Sequence, residues 1–213
     1  ASTDVILFTD DDCIVPTNWI ERILAAYDKN QNISGVGGPL IPPDNLVESN
    51  LFARYDWFKN EFVYELPSEP QSGGTDVHVG GTANMSYRRD VLEAVGGFDE
   101  SFPVAAGEDA DLKARIVNEG YELLFLPLAV EHHKPYTLEA FVSQSIRRGK
   151  GEYFFREKHG QGRSMFRILL GLVGSPLGAA SELAPNYPSV SVLHVLHRTL
   201  SRYGEFKAYT ANS

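Results

Sequence analysis

Three consecutive carboxylates, Asp10-Asp11-Asp12, follow one residue, Thr9, after the apolar run Val5-Ile-Leu-Phe8. Carboxylates a few ångströms apart repel one another unless a cation or strong donors offset the charge. Hard divalent ions such as Mg2+ or Mn2+ are typically held by one or two carboxylates together with substrate phosphates, so Asp10 and Asp12 with a diphosphate ligand make a coherent site. A solvated acidic loop accounts for the same residues equally well. Glu108 and Asp109 open a second acidic cluster, Gly107-Glu-Asp-Ala-Asp-Leu112, at the first turn of a predicted helix over 107–119. The helix dipole favours ionised carboxylates there, so capping is one reading. General-base work by Asp109 on a nearby hydroxyl is the other. His132 and His133 end a strand-like segment, and neutral imidazole is a good ligand for Mn2+. Neighbouring strand residues point to opposite faces, so only one of the two could join Asp12. Arg147, Arg148 and Lys150 place three cations within four residues, either a diphosphate clamp or a solvated helix face.

Other candidates carry less. His194 and His197 lie three apart on a predicted helix with no neighbouring carboxylate and read as structural. The aromatic stripe Tyr55, Trp57, Phe58 and Phe62 reads as core rather than a sugar-stacking platform. Gly80-Gly81-Thr82-Ala83-Asn84 and Gly96-Gly97 lack the strand-to-helix context of a phosphate loop. Cys13 is the single cysteine, which excludes an internal disulfide, and no Cys/His grouping has structural-zinc spacing.

The elements that must position these residues follow from periodicity. Asp4–Phe8 reads as a buried strand delivering Asp10–Asp12 to the carboxyl edge of a sheet, where open α/β sheets bind ligands. A helix after Pro16 puts Ile20, Ile23, Leu24 and Tyr27 on one stripe, and Ser34–Leu40 reads as a strand. A single helix is predicted over 46–65, then a loop from Pro67 to Thr75, and a strand over 77–87 bent at Gly80-Gly81. A short helix starts at Asp90. Strands are predicted at Tyr121–Leu126 and Ala129–Glu131, and Thr137 caps a long helix to about Lys158. The tail from Arg163 is helical in pattern and broken by Pro176, Pro185 and Pro188. Alternating helices and strands make the class α/β with a helical C-terminal segment, divided into 1–135 and 136–213.

The chain of 213 residues is 43% hydrophobic and 22% charged, enough to bury a core and far from disorder-prone composition. Its formal charge of −9 hides an asymmetry: residues 1–133 carry −15 and residues 134–213 carry +6. The acidic part suits metal or cations and excludes nucleic acid as a partner, whereas the basic part suits phosphates or an anionic membrane. The sequence opens on Ala-Ser-Thr-Asp without a signal-peptide pattern. The longest apolar stretch, Ile168–Ala180, is 13 residues long and interrupted by glycines, so it is expected to lie on a membrane rather than cross one.

Singly ambiguous, the motifs are specific in their order: Phe8-Thr-Asp-Asp-Asp-Cys13, Gly81-Thr-Ala-Asn-Met-Ser-Tyr-Arg-Arg89, Gly96-Gly-Phe-Asp-Glu100, Gly107-Glu-Asp-Ala-Asp-Leu112, then His132. From residue 1 to about 160 this closely resembles the family-2 glycosyltransferases. The resemblance implies a GT-A-like, Rossmann-like mixed sheet flanked by helices. It also implies transfer of a sugar from a nucleotide-sugar donor to a saccharide or lipid-linked acceptor, by metal-dependent single displacement with inversion. By it, Asp10 and Asp12 match the Asp-x-Asp motif that holds Mn2+ or Mg2+ on the donor diphosphate. Asp11, Arg147 and Arg148 join them on the donor side, and His132 matches a frequent third metal ligand. Asp109 matches the residue that deprotonates the acceptor hydroxyl, with Gly81, Thr82, Asn84 and Glu108 on the acceptor side.

Two departures shape the expectation. Processive synthases of the family carry Gln-x-x-Arg-Trp where this chain has Gln144-Ser-Ile-Arg147-Arg148, which favours single or limited transfer. The family's domain also opens with strands and helices that grip the nucleoside base, and this sequence begins just before the Asp-x-Asp strand. The fold is therefore expected to be incomplete at its N-terminus, as a fragment of a longer cytoplasmic enzyme whose basic tail meets the inner face of the membrane. The competing readings are a non-catalytic carbohydrate or protein interaction module on the same scaffold, and a metal-dependent phosphotransferase, for which no Gly-rich loop with Lys-Ser/Thr is present.

Overall fold

The structure, a computed structural model, describes residues 3–180 and 187–212, with the backbone alone at 176–180. Two compact units emerge: Ala1–Val47, Asp56–Asp99 and Asp111–Lys134 form the first, and Glu48–Tyr55, Glu100–Ala110 and Pro135–Ser213 the second. The second thus takes in two short segments besides the tail expected from 136 onward.

The first unit is built on two sheets. Strands β1 (Val5–Phe8), β3 (Ile33–Gly37), β5 (Gln71–Gly73), β6 (Met85–Arg88) and β7 (Glu122–Phe125) form a mixed sheet in the order β1-β6-β3-β7-β5. Its pair β3–β7 is parallel and the others antiparallel. Strands β2 (Cys13–Ile14), β4 (Leu40–Ile41) and β8 (Val130–His132) form a second sheet, with β8 in the middle. Both faces of the larger sheet are covered, which is why β1 reads as an unbroken apolar run rather than an alternation. Ile6 and Phe8 pack with Tyr87, Leu123 and Phe125 against Val91 and Leu92 of α4 (Arg89–Ala94) and Leu112 and Ile116 of α5 (Glu108–Asn118). Val5, Leu7 and Leu124 point the other way, onto Trp19, Ile23, Ala26 and Tyr27 of α1 (Trp19–Lys29). The period-two switch along each strand makes the two cores.

In the second unit, α6 (Leu138–Lys158), α7 (Met165–Ala180) and α8 (Pro188–Asn212) supply the mass. Thr137 caps α6 as expected, its Oγ1 accepting the Ala140 N–H at 3.2 Å. Helices α6 and α8 approach so closely that a Cβ on Gly149 would lie 1.7 Å from the Ser201 carbonyl, and one on Gly204 2.1 Å from that of Ile146. His194 is interior here and His197 half-buried, and both bond within the unit. His194 meets the Tyr55 hydroxyl at 3.2 Å, and His197 meets Ser145 Oγ at 2.9 Å.

Several expected elements differ in detail. The single helix over 46–65 is two α-helices, α2 (Asp44–Ser49) and α3 (Leu51–Phe58), followed by a π-helical turn at Lys59–Val63. Asn50 divides them because its Oδ1 accepts the N–H groups of Phe52 (2.9 Å) and Ala53 (3.2 Å), capping a new helix. Ile20 and Leu24 are 58% and 42% exposed, so α1 buries only the Trp19, Ile23 and Tyr27 side of the expected stripe. The strand over 77–87 pairs only from Met85, because Thr82–Asn84 close a 3-10 turn after the glycine pair. Gly38-Pro39 likewise splits the strand at 34–40 into β3 and β4. Pro176 does not end α7. The Ser175 hydroxyl donates to the Leu172 carbonyl at 3.1 Å, satisfying the acceptor that the proline nitrogen cannot. Pro185 lies outside the described residues.

Candidate active site

Strand β1 ends at Phe8, and Asp10–Asp12 make a tight turn closed by the Cys13 N–H donating to the Asp10 carbonyl at 3.2 Å. The turn leads into β2, whose antiparallel register with β8 sets Cys13 opposite His132. The ladder continues as the His133 N–H donates to the Asp12 carbonyl at 2.7 Å. This pairing brings the His132 Nε2 within 3.3 Å of Asp12 Oδ1. His133 turns to the other face and meets Glu131 Oε2 at 3.1 Å, as the alternation of a strand requires.

Among the described residues, one group of His, Cys and carboxylate side chains has donor atoms close enough to share a metal ion. It comprises Asp12, Cys13 and His132, whose ligand atoms all lie within 4.8 Å of one another. Asp10 stands outside that group, exposed on the same turn, with its charge reaching His132. Asp11 is exposed beside it. Burial holds the His132 pKa below the ordinary histidine value, with Lys134 adding to the effect and Asp12 and Asp10 opposing it. The ring is therefore neutral at neutral pH, the form that ligates. Burial pushes the Cys13 thiol up, as do the charges of Asp12 and Asp10. Two donors at right angles on an octahedral Mg2+ at about 2.1 Å stand about 3 Å apart, so the Asp12–His132 pair fits a hard divalent ion with little adjustment.

A second charged cluster sits behind His132. Asp56 lies between two lysines, with Oδ1 2.8 Å from Lys59 Nζ and Oδ2 2.5 Å from Lys134 Nζ. Burial alone would raise the Asp56 pKa, but the two ammonium groups outweigh it and hold the carboxyl well below the usual range.

The glycine-rich segment is braced from two sides. Gly80 has a φ of +83°, and a Cβ there would lie 2.3 Å from the Gly38 carbonyl. The Lys113 ammonium on α5 donates to the Gly80 carbonyl. Gly81 and Thr82 are half-buried, whereas Asn84 is interior at 2% exposure. The Asn84 amide donates to the Leu128 (2.8 Å) and Pro39 (3.1 Å) carbonyls, and its oxygen accepts the Trp19 indole N–H at 2.9 Å. The Asn84 side chain thus holds the turn and does not face solvent. Arg115 on α5 pairs with the fully buried Asp111 at 2.9 Å and donates to the Val95 and Gly97 carbonyls, latching the Gly96-Gly97 turn.

Glu108 and Asp109 begin α5, and both belong to the second unit, as do Arg147 and Arg148. Gly107 precedes them at φ +93°, with a Cβ position 2.8 Å from the Gly151 carbonyl of α6, so only glycine fits this entry into the helix. Asp109 is half-buried, and its Oδ1 accepts the Ala110 N–H at 2.8 Å. Arg147 and Arg148 are exposed on α6.

Cys13, Lys134 and Asp56 are members of these clusters that sequence reasoning missed. Cys13 and Lys134 stand within two residues of Asp12 and His132, but the two-residue strand that brings them together has no periodicity to read. Asp56 stands three residues before Lys59, a spacing that pairs charges on a helix, but its contact with Lys134 follows from no spacing.

Residues 5–204 match the family described as glycosyl transferase family group 2. The chain belongs to that family. The O-antigen chain rhamnosyltransferase WbaN of Salmonella anatum is 25% identical over 173 residues, covering 78% of this chain and 54% of WbaN. The glucosyl-dolichyl phosphate glucuronosyltransferase of Haloferax volcanii is 29% identical over 99 residues, 45% of this chain and 30% of that protein. This family member thus spans about half the length of WbaN and less of the other. The mannosyltransferase PcManGT from Pyrobaculum calidifontis, solved in complex with GDP-Man and Mn2+, superposes over 100% of this chain and 52% of its own. The TM-score is 0.50 at 12% identity. That likeness establishes the fold: a mixed sheet flanked by helices, as in a GT-A glycosyltransferase.

Proposed function

We propose that this chain is the catalytic-centre part of a metal-dependent, inverting glycosyltransferase that moves a sugar from a nucleotide-sugar donor to an acceptor hydroxyl. The observation that carries the reading is the Asp12–His132 pair, 3.3 Å apart at the end of the Asp-x-Asp turn. Membership of the family and the donor and Mn2+ bound by PcManGT support it.

Asp12 and His132 would hold a Mn2+ or Mg2+ ion, with Asp10 and Asp11 beside them on the donor side. That ion supplies positive charge to the diphosphate of the donor. Asp109 takes the proton of the acceptor hydroxyl. The acceptor oxygen then attacks the anomeric carbon from the face opposite the diphosphate. The bond from that carbon to the phosphate oxygen breaks, the nucleoside diphosphate leaves, and the configuration inverts. The family resemblance assigns Gly81, Thr82 and Glu108 to the acceptor side and Arg147 and Arg148 to the diphosphate. Asn84 acts there through the backbone that it fixes. We assign the acceptor to the saccharide or lipid-linked class, and the +6 charge of residues 134–213 supports a contact with the inner face of a membrane. The missing Trp after Arg147 favours limited rather than processive transfer.

Calorimetric titration of UDP and GDP, with and without Mn2+, into the chain and its Asp12→Ala variant tests the donor site. Metal-dependent binding lost on substitution is the expected outcome. Binding that ignores both the ion and Asp12 would remove the basis for the reading.

A further inference from the structure

Helix α7 has one inward face and one outward face. Ile168 and Ser175 are buried, while Phe166, Leu169, Leu170 and Val173 are 74%, 41%, 62% and 77% exposed. At 3.6 residues per turn these four fall within an arc of about 100°, opposite Ile168 and Ser175. Large apolar residues exposed singly need no explanation, but four on adjoining turns of one helix make a contiguous patch of the kind that marks an interaction surface.

The segment that carries the patch is net positive: residues 134–213 hold 11 basic and 5 acidic side chains, +6. Among the described residues from 163 to 212 the only carboxylate is Glu205, which is 1% exposed and held by Arg202 at 2.8 Å and Arg163 at 3.4 Å. The exposed charged groups among the described residues of the same span are Arg167, on α7 beside the patch, and Lys207 on α8. An apolar stripe with Arg167 beside it, on a segment of net charge +6, is complementary to an anionic lipid surface. No helix among the described residues is long and apolar enough to cross a membrane.

We propose that the outer face of α7 seats in the headgroup boundary of an anionic membrane. Phe166, Leu169, Leu170 and Val173 enter the acyl boundary, with Arg167 at the level of the lipid phosphates. This deepens the membrane contact of the proposed function by naming its surface, and it holds whether or not the chain transfers sugar.

Sedimentation of the purified chain with phosphatidylglycerol-containing vesicles, against phosphatidylcholine alone, tests it. The chain is expected to sediment with the anionic vesicles at low salt and to be released as salt rises. Leu170→Glu and Val173→Glu are each expected to lower vesicle partitioning by about tenfold or more, and Arg167→Glu to lower it as well. Ile20→Glu, at an equally exposed apolar position of α1, should leave binding unchanged, and circular dichroism confirms that each variant is folded. Three results would overturn the proposal: no sedimentation of the wild-type chain, equal loss in Ile20→Glu, or a dimer by light scattering that Leu170→Glu dissolves while vesicles are ignored. Loss of nucleotide binding with vesicle binding intact would instead count against the transferase reading alone.

Discussion

Asp12 and His132, 120 residues apart in the chain, meet at 3.3 Å because the two-residue strand after the aspartates pairs antiparallel with β8, placing Cys13 opposite His132. The backbone ladder thus builds the pair before any ion arrives. An arrangement made ready in this way holds a ligand with less ordering cost than one assembled on binding.

The first prediction concerns pH. His132 is held below the ordinary histidine range chiefly by burial. It remains neutral, and able to ligate, down to a pH below about 6.5, the value of an unperturbed histidine. Once the titration of the GDP phosphate itself is subtracted, the acid limb of Mn2+-dependent GDP affinity is expected to have its midpoint below about 6.5, measured by calorimetry across the range. His132→Ala should flatten that acid limb along with lowering affinity.

Asp56 carries a stability prediction. Burial raises its pKa, Lys59 and Lys134 lower it by more, and the folded value is depressed. A depressed carboxylate contributes stability above its unfolded pKa and loses it as pH falls toward the folded one. Asp56→Asn removes the carboxylate from beside Lys59, whose side chain is 8% exposed, and should cost about 3 kcal/mol at neutral pH. Urea denaturation at about pH 7 and about pH 3 should show the penalty shrinking in acid. A penalty that grows in acid would contradict this.

Asn84→Leu removes three buried hydrogen bonds to Leu128, Pro39 and Trp19. Leaving those partners unsatisfied should cost about 3 kcal/mol in thermal or chemical unfolding. Nucleotide affinity per folded molecule should change little, because the side chain is interior.

Gly107→Ala tests the entry to α5. Its φ of +93° and the 2.8 Å approach of the Gly151 carbonyl leave no room for a methyl group. A loss of about 2 kcal/mol is expected, with Gly96→Ala, whose Cβ position meets nothing within 4 Å, costing less.

Much of this fold was legible because the strong signals are local. The apolar run of β1, the Thr137 cap and the acidic opening of α5 at Glu108-Asp109 each follow from a few neighbouring residues, and all three elements stand where they were expected. The misreadings arose where a side chain overrode the pattern: Asn50 capping a new helix inside 46–65, and Ser175 carrying α7 through Pro176. The site was legible as a list of residues through their order along the chain. Its membership by contact was not, since the meeting of Cys13 with His132 and of Asp56 with Lys134 depends on long-range pairing that no spacing encodes.

The central claim is that Asp12 and His132 hold the divalent ion of a nucleotide-sugar site. Pulsed electron paramagnetic resonance of Mn2+ with GDP bound to the chain tests it most directly. The expected result is an imidazole nitrogen coupling to the ion that disappears in His132→Ala, and loss of the bound-ion signal in Asp12→Ala. A bound Mn2+–GDP complex with no nitrogen coupling, or one untouched by the Asp12 substitution, would contradict it.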